Sequence, residues 1–594
     1  MNTDMRSARL RLRLDARGRV QGVGFRPSVY RLATGLGLAG RVGNNAQGAV
    51  IEVEGSPDQV ARFQDRLDDA LPARAQIERL TATELEPVGE TEFVIDTSSD
   101  SGRQQAEITP DIAICADCRR ELDDPDDRRY RYPFINCTNC GPRYSIVQGI
   151  PYDRANTTMR AFAMCPACRA EYDDPDSRRF HAQPNACPDC GPHAWFCTAA
   201  GTAVEGDAIA HAADRLRDGA VVAVKGLGGF HLACRADDDD AVGRLRRRKA
   251  REAKPFALMV ADLTAARTVV HVDAAAAARL SDWHSPIVLL PQADTTTISP
   301  QVAPDTDRYG VMLPYTPLHK LLFQEGLPPL VMTSANPSDE PLCSDNDEAL
   351  QRLRHMVDGF LLHDRDIERR VDDSVWIGPG ATPVRRSRGY VPEPIAVTPA
   401  AHTPILALGG DLKAAVAIMA DAHVVLSEHL GELDNPAAYR NFVRAVDRLE
   451  GILDVHPEVI AHDLHPGYHS AAYARASGRR LVTVQHHHAH LAACMADNAL
   501  EGPVLGLVCD GTGYGTDGAI WGGELLLGDA AGARRVQHLR YFALPGGDAA
   551  ARELWRPAAD VLAQACGDDW RQVHTRLASE PLPGPAGVPA APAE

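Results

Sequence analysis

Four CxxC pairs between residues 115 and 190 form two copies of one cysteine repeat with a period of 50 residues. The sequence CADCRRELDDPD…CTNCGP aligns without gaps on CPACRAEYDDPD…CPDCGP. Two CxxC pairs supply the four thiolates that one tetrahedral zinc ion takes. Since each repeat holds a complete set, the sequence predicts two structural zinc ions with sequential pairing of the cysteines. The predicted ligands are Cys115, Cys118, Cys137, Cys140, Cys165, Cys168, Cys187 and Cys190.

Two other interpretations of the cysteine repeats remain open, namely disulfide-bonded hairpins and a redox dithiol. The chain has no apolar segment of signal-peptide or membrane-spanning length, so we expect a cytoplasmic protein, in which CxxC pairs bind metal more often than they form disulfides. His181 and His193 are close enough in sequence to replace a cysteine ligand, although a solvated surface role suits both. The net charge of −18 argues against general nucleic-acid binding, and the DDPD sequences favour a structural module.

The chain has 594 residues, which is too many for one hydrophobic core and indicates several domains. Strand-like and helix-like patterns alternate on both sides of the cysteine repeats, so we expect a multidomain α/β and α+β protein. The polar segment 96–102 is interpreted as a linker, and the proline-rich segment 392–404 as a joint. The predicted segments are an α/β domain at 8–98, the zinc-binding module at 110–200, a second α/β domain at 205–398, a third at 404–575 and a disordered tail at 576–594.

The glycine-rich segment 18–26 joins a predicted strand to a predicted helix in a small ferredoxin-like domain. Glycines let successive backbone N–H groups converge on an anion, and Arg26 can clamp a phosphate. Asn44 follows in a second polar loop, where an amide can position a water molecule. The alternative is a tight turn with a surface arginine. VQGVGFR closely resembles the acylphosphatase signature, which implies that Arg26 binds an acyl phosphate, here carbamoyl phosphate, and that Asn44 orients the attacking water.

A second glycine-rich segment, KGLGGFHLAC at 225–234, precedes the most basic stretch of the chain, residues 244–254. Seven of these eleven residues are arginine or lysine, which favours a polyphosphate site, with a solvated helix face as the alternative. Together with the TSAN sequence at 333–336, this stretch resembles the YrdC/Sua family, which makes carbamoyl-type adenylates from ATP. The resemblance implies a pocket for ATP and Mg²⁺ lined by Lys249, Arg251, Ser334 and Asn336, with Lys225, His231 and Arg388 as further candidates.

Four histidines occur in the sequence QHHHAHL at 485–491, which is compatible with a helix. His486 and His490 are four residues apart and share one helical face at a spacing that suits a metal ion, whereas a packing or capping role is the alternative. Asp510 opens the sequence DGTGYG after an apolar strand, which suits phosphate or metal binding. The two motifs resemble TsaD-like carbamoyltransferases of the ASKHA nucleotide-binding class. The resemblance implies that His486, His490 and Asp510 bind iron or another divalent metal.

The order of these motifs resembles the HypF family, whose members mature [NiFe] hydrogenases. KGLGGFHLAC, RRSRGY, DLHPGY and VQHHHAH are the further stretches that resemble it. The resemblance implies hydrolysis of carbamoyl phosphate to carbamate and ATP-dependent formation of carbamoyl adenylate. It also implies carbamoyl transfer to the C-terminal cysteine of a HypE-like partner, where the group becomes the precursor of cyanide ligands on iron.

The family pattern continues beyond LPGGDAAARELWRPA with two further loops that bind nucleotide and metal. The sequence shows neither loop. We therefore expect a last domain that is incomplete at its C-terminus. The alternatives are a chain that only hydrolyses carbamoyl phosphate and forms the adenylate, a non-enzymatic scaffold, and a tRNA-modifying threonylcarbamoyl enzyme. The last of these leaves the acylphosphatase signature and the zinc repeats unexplained, and the acidic charge disfavours tRNA.

Overall fold

The computed structural model describes residues 9–45, 47–96, 108–251, 253–337, 340–378, 382–547, 549–572 and 575. The chain divides into two compact units, residues 1–484 and residues 485–594. Most of the segment interpreted as a linker, 97–102, and the whole predicted tail, 576–594, lie outside the described residues. Within the described ranges, every helix is too short or too polar to cross a membrane.

The N-terminal domain is a five-stranded sheet on which two helices pack. The strand order is β4-β1-β3-β2-β5, and neighbouring strands are antiparallel except for β2 and β5. Leu12, Leu14 and Ala16 point into the core at period two, as an amphipathic strand requires. This is the ferredoxin-like arrangement that the sequence predicts. Its elements are β1 (Leu10–Arg19), α1 (Phe25–Gly35), β2 (Ala39–Asn45), β3 (Gly48–Gly55), α2 (Pro57–Ala70), β4 (Gln76–Leu85) and β5 (Phe93–Ile95).

The cysteine repeats contain little regular structure beyond one short helix each, α3 (Ala116–Asp123) and α4 (Pro166–Asp173). The first cysteine of each repeat caps its helix, because its sulfur accepts a hydrogen bond from the backbone N–H of the third residue after it. Segments with so little regular secondary structure need another source of stability. The thiolate clusters described below provide it.

One mixed sheet of eleven strands forms the third domain. Its strand order is β16-β15-β11-β12-β10-β13-β9-β8-β14-β6-β7. The strands are β6 (Ala194–Thr198), β7 (Ala203–Val204), β8 (Val222–Lys225), β9 (Phe230–Arg235), β10 (Ala257–Met259), β11 (Ile287–Pro291), β12 (Arg308–Met312), β13 (Leu330–Ser334), β14 (Gly359–His363), β15 (Val375–Ile377) and β16 (Thr382–Arg385).

Helices cover this sheet, and a hydrophobic core lies on each of its faces. On one face Leu216 and Leu321 join the same core as Leu122 and Phe134 of the cysteine module. The cysteine module is therefore packed into the third domain and is not a separate body on a linker. The helices are α5 (Ala208–Arg217), α6 (Asp239–Lys249), α7 (Leu263–Ala266), α8 (Ala274–Leu280), α9 (Pro317–Gln324) and α10 (Asn346–Arg352).

The segment interpreted as a proline-rich joint is mostly strand. Residues Ile395–Ala407 form β17, which pairs with β18 (Ala417–Leu426). The pairing shifts register twice, between Ala396 and Ala401 and between Ala401 and Ile405. Such irregularities let a strand accommodate prolines that cannot donate to the ladder. The remaining elements of this sheet, ordered β18-β17-β19-β20, and its helices are α11 (Pro436–Leu453), β19 (Val459–Asp463), α12 (His469–Ala476) and β20 (Arg480–Val484).

The second unit is small and its core contains few buried side chains, among them Leu491, Trp521 and Leu526. A three-stranded sheet ordered β21-β24-β25 packs on one helix, while Leu505 and Leu507 of its first strand are exposed. The elements are α13 (His486–Asp497), β21 (Val504–Val508), β22 (Gly513–Tyr514), β23 (Ile520–Trp521), β24 (Glu524–Gly528), β25 (Ala533–His538), α14 (Ala549–Arg552) and α15 (Trp555–Cys566).

Candidate functional sites

Each cysteine repeat gathers its own four sulfur atoms into one cluster, as the sequence predicts. The Cys115 and Cys137 sulfurs are 3.7 Å apart, and the Cys187 and Cys190 sulfurs are 3.8 Å apart. A zinc–sulfur bond of about 2.3 Å places tetrahedral ligands about 3.8 Å from one another. All eight cysteines are free of disulfide bonds. The clusters therefore fit two structural zinc ions and exclude the disulfide hairpins.

Each zinc cluster is also approached by an arginine from the other repeat. Arg128 of the first repeat lies 3.3 Å from the Cys168 sulfur, and Arg178 of the second lies 3.9 Å from the Cys118 sulfur. The two arginines are equivalent positions of the repeat, so the contacts are reciprocal. Four thiolates around one Zn²⁺ carry a net negative charge, which the two guanidinium groups offset. No local sequence pattern predicts these reciprocal contacts, because they depend on how the two repeats pack.

We expect the double variant Arg128→Ala, Arg178→Ala to bind zinc about 10- to 100-fold more weakly, because both clusters lose a charge-compensating donor. Competition with a chromogenic chelator measures the affinity. Arg120→Ala is the matched control, since this arginine of the same module is exposed and, within the described part of the chain, forms an ion pair with Asp117 alone. Equal zinc affinity in the double variant and the control would contradict the prediction.

The predicted anion loop forms one wall of a cavity that is partly open to solvent. Gly22 and Gly24 adopt left-handed backbone with φ of 74° and 81°, which turns the chain sharply into α1. Arg26 lies in the first turn of that helix and is 7% exposed. Asn44 is the penultimate residue of β2 and lines the same cavity, and its Oδ1 atom is buried with no hydrogen-bond partner among the described residues. A buried acceptor facing a cavity is where an ordered water molecule or substrate would bind.

The opposite wall of this cavity comes from the cysteine module. Arg143 donates hydrogen bonds to the Gly22 carbonyl at 2.6 Å and to the Cys137 and Cys140 carbonyls at 3.1 and 3.2 Å. Asp153 accepts a hydrogen bond from Arg26 at 3.2 Å. The module thus connects the first thiolate cluster directly to the anion loop. The wall is formed by Thr138, Arg143, Tyr152, His181, Ala182 and Gln183.

The four residues predicted to bind ATP lie together where α6 meets β13. The Lys249 Nζ atom donates to the Ser334 carbonyl at 2.8 Å and to the Asn336 carbonyl and Oδ1 at 2.7 and 2.9 Å. The Ser334 hydroxyl contacts the same Oδ1 atom at 2.9 Å, and Arg251 donates to Thr333 at 3.1 Å. Burial lowers the pKa of Lys249 to about 7, with a smaller effect of the Arg251 charge. The basic stretch is thus not a solvated helix face at these positions.

His231 is the cross-strand neighbour of Ser334, and together with Arg388 it belongs to a buried network around Asp373. This carboxylate lies 2.9 Å from the His231 Nε2 atom and 2.7 Å from the Arg388 Nε atom. Arg388 also donates to the His284 and Ser285 carbonyls and is 1% exposed. These donors bond groups of the protein, and the role of Arg388 in the ATP pocket stays a prediction. His231 shares that network.

Lys225 lines a second cavity, also partly open to solvent, between the cysteine module and the third domain. Its Nζ atom donates to the His363 carbonyl at 3.0 Å, and burial lowers its pKa to about 8. Arg365 lines the same cavity. Residues Gly141 and Pro142 border this second cavity, and their neighbour Arg143 borders the first. The same loop of the cysteine module therefore separates the two spaces.

His486, His490 and Asp510 converge in the second unit, as predicted. The Asp510 Oδ2 atom lies 3.0 Å from the His486 Nε2 atom and 3.7 Å from the His490 Nε2 atom. Two imidazoles and a carboxylate are a suitable donor set for a divalent transition metal. His487 and His488 face away, since His487 is fully buried and His488 contacts the Asp529 carbonyl.

Five family models match the chain, in six segments. They are acylphosphatase at 12–95, the HypF finger at 114–147 and 164–197, Sua5/YciO/YrdC (described as telomere recombination) at 214–386, the HypF Kae1-like domain at 400–497, and the second subdomain of the carbamoyltransferase Kae1-like domain at 506–584.

Several curated relatives and solved structures match nearly the whole chain, among them the following three. Carbamoyltransferase HypF2 of Cupriavidus necator is 47% identical over 93% of this chain and 72% of its own length. Carbamoyltransferase HypF of Rhodobacter capsulatus is 46% identical over 97% of this chain and 80% of its own length. A crystal structure of full-length HypF in a phosphate- and nucleotide-bound form is 43% identical, with a TM-score of 0.93 over 96% of this chain and 75% of that one. The chain therefore belongs to the HypF family of carbamoyltransferases, enzymes of hydrogenase maturation.

Proposed function

We propose that the chain carries a carbamoyl group from phosphate to AMP and then to a cysteine thiol of a HypE-like partner. Water converts carbamoyl phosphate to carbamate and phosphate, carbamate and ATP give carbamoyl adenylate and pyrophosphate, and the thiol displaces AMP. The observation that carries this proposal is that Arg26 and Lys249, 7% and 4% exposed, lie in two separate buried sites. The zinc-binding module forms one wall of the first site, and the second lies at the end of β13 in the third domain.

In the first step Arg26 binds the phosphate group of carbamoyl phosphate, as a guanidinium suits a dianion. The N–H groups of the loop at Gly22 and Gly24 add further donors. The unpartnered Oδ1 atom of Asn44 accepts a hydrogen bond from the attacking water. Asp153, which bonds Arg26, fixes the orientation of the guanidinium group.

Carbamate is unstable in water, so a passage enclosed by protein would protect it between the first two sites. The two cavities on either side of the loop at 138–143 are the candidates for this passage. Lys225 and Arg365 give the second cavity a cationic lining, which suits the carbamate anion.

In the second step Lys249 and Arg251 bind the phosphates of ATP, which brings its own Mg²⁺. Ser334 and Asn336 hold the Lys249 ammonium group at the strand end by three hydrogen bonds. In the third step His486, His490 and Asp510 would hold a divalent metal such as iron, which supplies positive charge for nucleotide phosphates. The HypE-like partner supplies the acceptor cysteine.

Three assays on the same preparation test the proposal. Phosphate release from carbamoyl phosphate reports the first step, and carbamoyl-phosphate-dependent exchange of pyrophosphate into ATP reports the second. A thiocarboxamide mass increase on the C-terminal peptide of a HypE-like partner reports the third. Absence of the first two activities would contradict the enzymatic proposal. If the first two activities are present but the mass increase is absent, the result would support the alternative in which the chain only hydrolyses carbamoyl phosphate and forms the adenylate.

We expect ATP affinity to fall as pH rises above 7, because Lys249 has a pKa of about 7 and a triphosphate prefers its cationic form. Below that pH the cation is already present; above it each pH unit weakens binding by up to about tenfold, since one proton must be taken up. Isothermal titration calorimetry between about pH 6 and about pH 9 measures the profile. Lys249→Arg keeps its charge throughout and should flatten the profile. Parallel profiles in both proteins would contradict the assignment.

A further inference from the structure

The wall that closes the acylphosphatase-like cavity is an addition to the acylphosphatase fold. The segment that matches acylphosphatases ends at Ile95. The polar side chains that face Arg26 across the cavity come from the cysteine module, beyond that segment. They are Thr138, Arg143, Tyr152, His181 and Gln183. Any substrate in the cavity therefore meets groups that the acylphosphatase match does not include.

Four of these five side chains use their polar groups within the protein. Arg143 donates to five backbone carbonyls. Gln183 contacts Arg154, Tyr172 and the His181 carbonyl, whereas the hydroxyls of Thr138 and Tyr152 donate to backbone carbonyls. Neither ring nitrogen of His181 has a hydrogen-bond partner among the described residues. The imidazole is thus the group on this wall with hydrogen-bonding capacity left for a ligand.

The internal repeat allows His181 to be compared with the residue at the equivalent position of the first repeat. His181 is equivalent to Arg131 of the first repeat, and both adopt left-handed backbone, with φ of 53° and 54°. Arg131 pairs with Glu325 of the third domain at 2.6 Å, whereas His181 faces the cavity of Arg26. Burial, with a smaller effect of the Arg26 charge, lowers the pKa of His181 to about 4. A neutral imidazole with one N–H donor and one acceptor therefore stands where the sister repeat has a cation.

We propose that His181 is a substrate-binding residue that selects carbamoyl phosphate over other acyl phosphates, an inference that rests on the proposed function of this site. The carbamoyl group carries an NH₂ donor where acetyl phosphate carries a methyl group. An imidazole nitrogen accepts a hydrogen bond from that NH₂ group, whereas a methyl group would leave it unpaired. The rings of Tyr172 and Phe180, with centroids 4.9 and 4.7 Å away, hold the imidazole in place.

The variant His181→Asn tests this role, because asparagine tolerates the left-handed conformation but is too short to keep the contact. kcat/KM is measured for carbamoyl phosphate and for acetyl phosphate on the full chain. We expect about a tenfold loss for carbamoyl phosphate and less than about a threefold loss for acetyl phosphate. His193→Asn is the matched control, since this exposed histidine belongs to the same module and lies outside the cavity. His181→Gly, which also accepts this backbone conformation, should show the same loss of preference.

Equal losses for both substrates, or an unchanged ratio in both variants, would overturn the proposal, because a structural role affects both substrates alike. Zinc content is measured in each protein, so that loss of the module is recognised. An unaltered chain that hydrolyses acetyl phosphate but not carbamoyl phosphate would overturn the proposed function itself. This assay needs only the unaltered chain, so a failure of the proposed function is recognised before any variant is made.

Discussion

Replacing Arg26 by alanine is expected to lower kcat/KM for carbamoyl phosphate hydrolysis by about 10³-fold, the loss found when a preorganised donor to developing charge is removed. Arg26 is 7% exposed and lies in the first turn of α1, between the anion loop and Asp153. Its removal takes away the guanidinium group and leaves a carboxylate facing an anionic substrate. Phosphate release measures the effect, and Arg26→Lys should recover part of the rate, since it restores charge without the bidentate geometry.

The matched control for this prediction is Arg31→Ala, on the same helix and outside the cavity. Among the residues that the structure describes, its side chain donates hydrogen bonds to the Pro175 carbonyl and the Ser28 hydroxyl. We expect the control to hydrolyse carbamoyl phosphate at close to the unaltered rate. If both variants lose the same activity, the loss reflects damage to the helix, and the role of Arg26 is refuted. Exchange of pyrophosphate into ATP, with carbamate supplied directly, should survive in both.

Much of this architecture was predictable because its signals are local. Two CxxC pairs in one repeat determine a tetrahedral thiolate site whatever the rest of the chain does, and the clusters formed with the expected pairing. Lys249 lies close to Ser334 and Asn336 because the C-terminal ends of α6 and β13 are neighbours in the third domain. His486 and His490 needed only one helical turn. Each of these sites depends on the geometry of short segments.

The contacts between distant segments were not predictable. Asp153 reaches Arg26 across 127 residues of sequence, and Arg128 reaches Cys168 across 40. The sequence favours a solvated surface role for His181 over a zinc-ligand role, whereas its side chain lines the cavity of the anion loop. Arg388 belongs to a basic sequence motif, but its side chain is buried and donates a hydrogen bond to Asp373. The pattern of charges along the chain cannot distinguish these cases, because only packing decides which partner a side chain meets.

Removing zinc from the first cluster by Cys137→Ser is expected to abolish carbamoyl phosphate hydrolysis, although the cysteine lies outside the acylphosphatase-like domain. A structural zinc site contributes about 10 to 16 kcal/mol to the folding of a small module, so its loops should unfold without the ion. Arg143 would then lose the Cys137 and Cys140 carbonyls that hold it, and the Gly22 carbonyl would lose Arg143. Both the anion loop and the wall opposite it would lose their support.

The experiment compares Cys137→Ser with Cys494→Ser, a control at an exposed cysteine of the second unit. Metal analysis should find one zinc fewer in the first variant and no change in the second, and phosphate release should fall at least about 100-fold only in the first. Retained hydrolysis in a protein that has lost its first zinc would show that the anion loop folds independently of the cysteine module. In that case the shared wall at Arg143 would be a packing contact without catalytic consequence, and the zinc ions would serve the third domain alone.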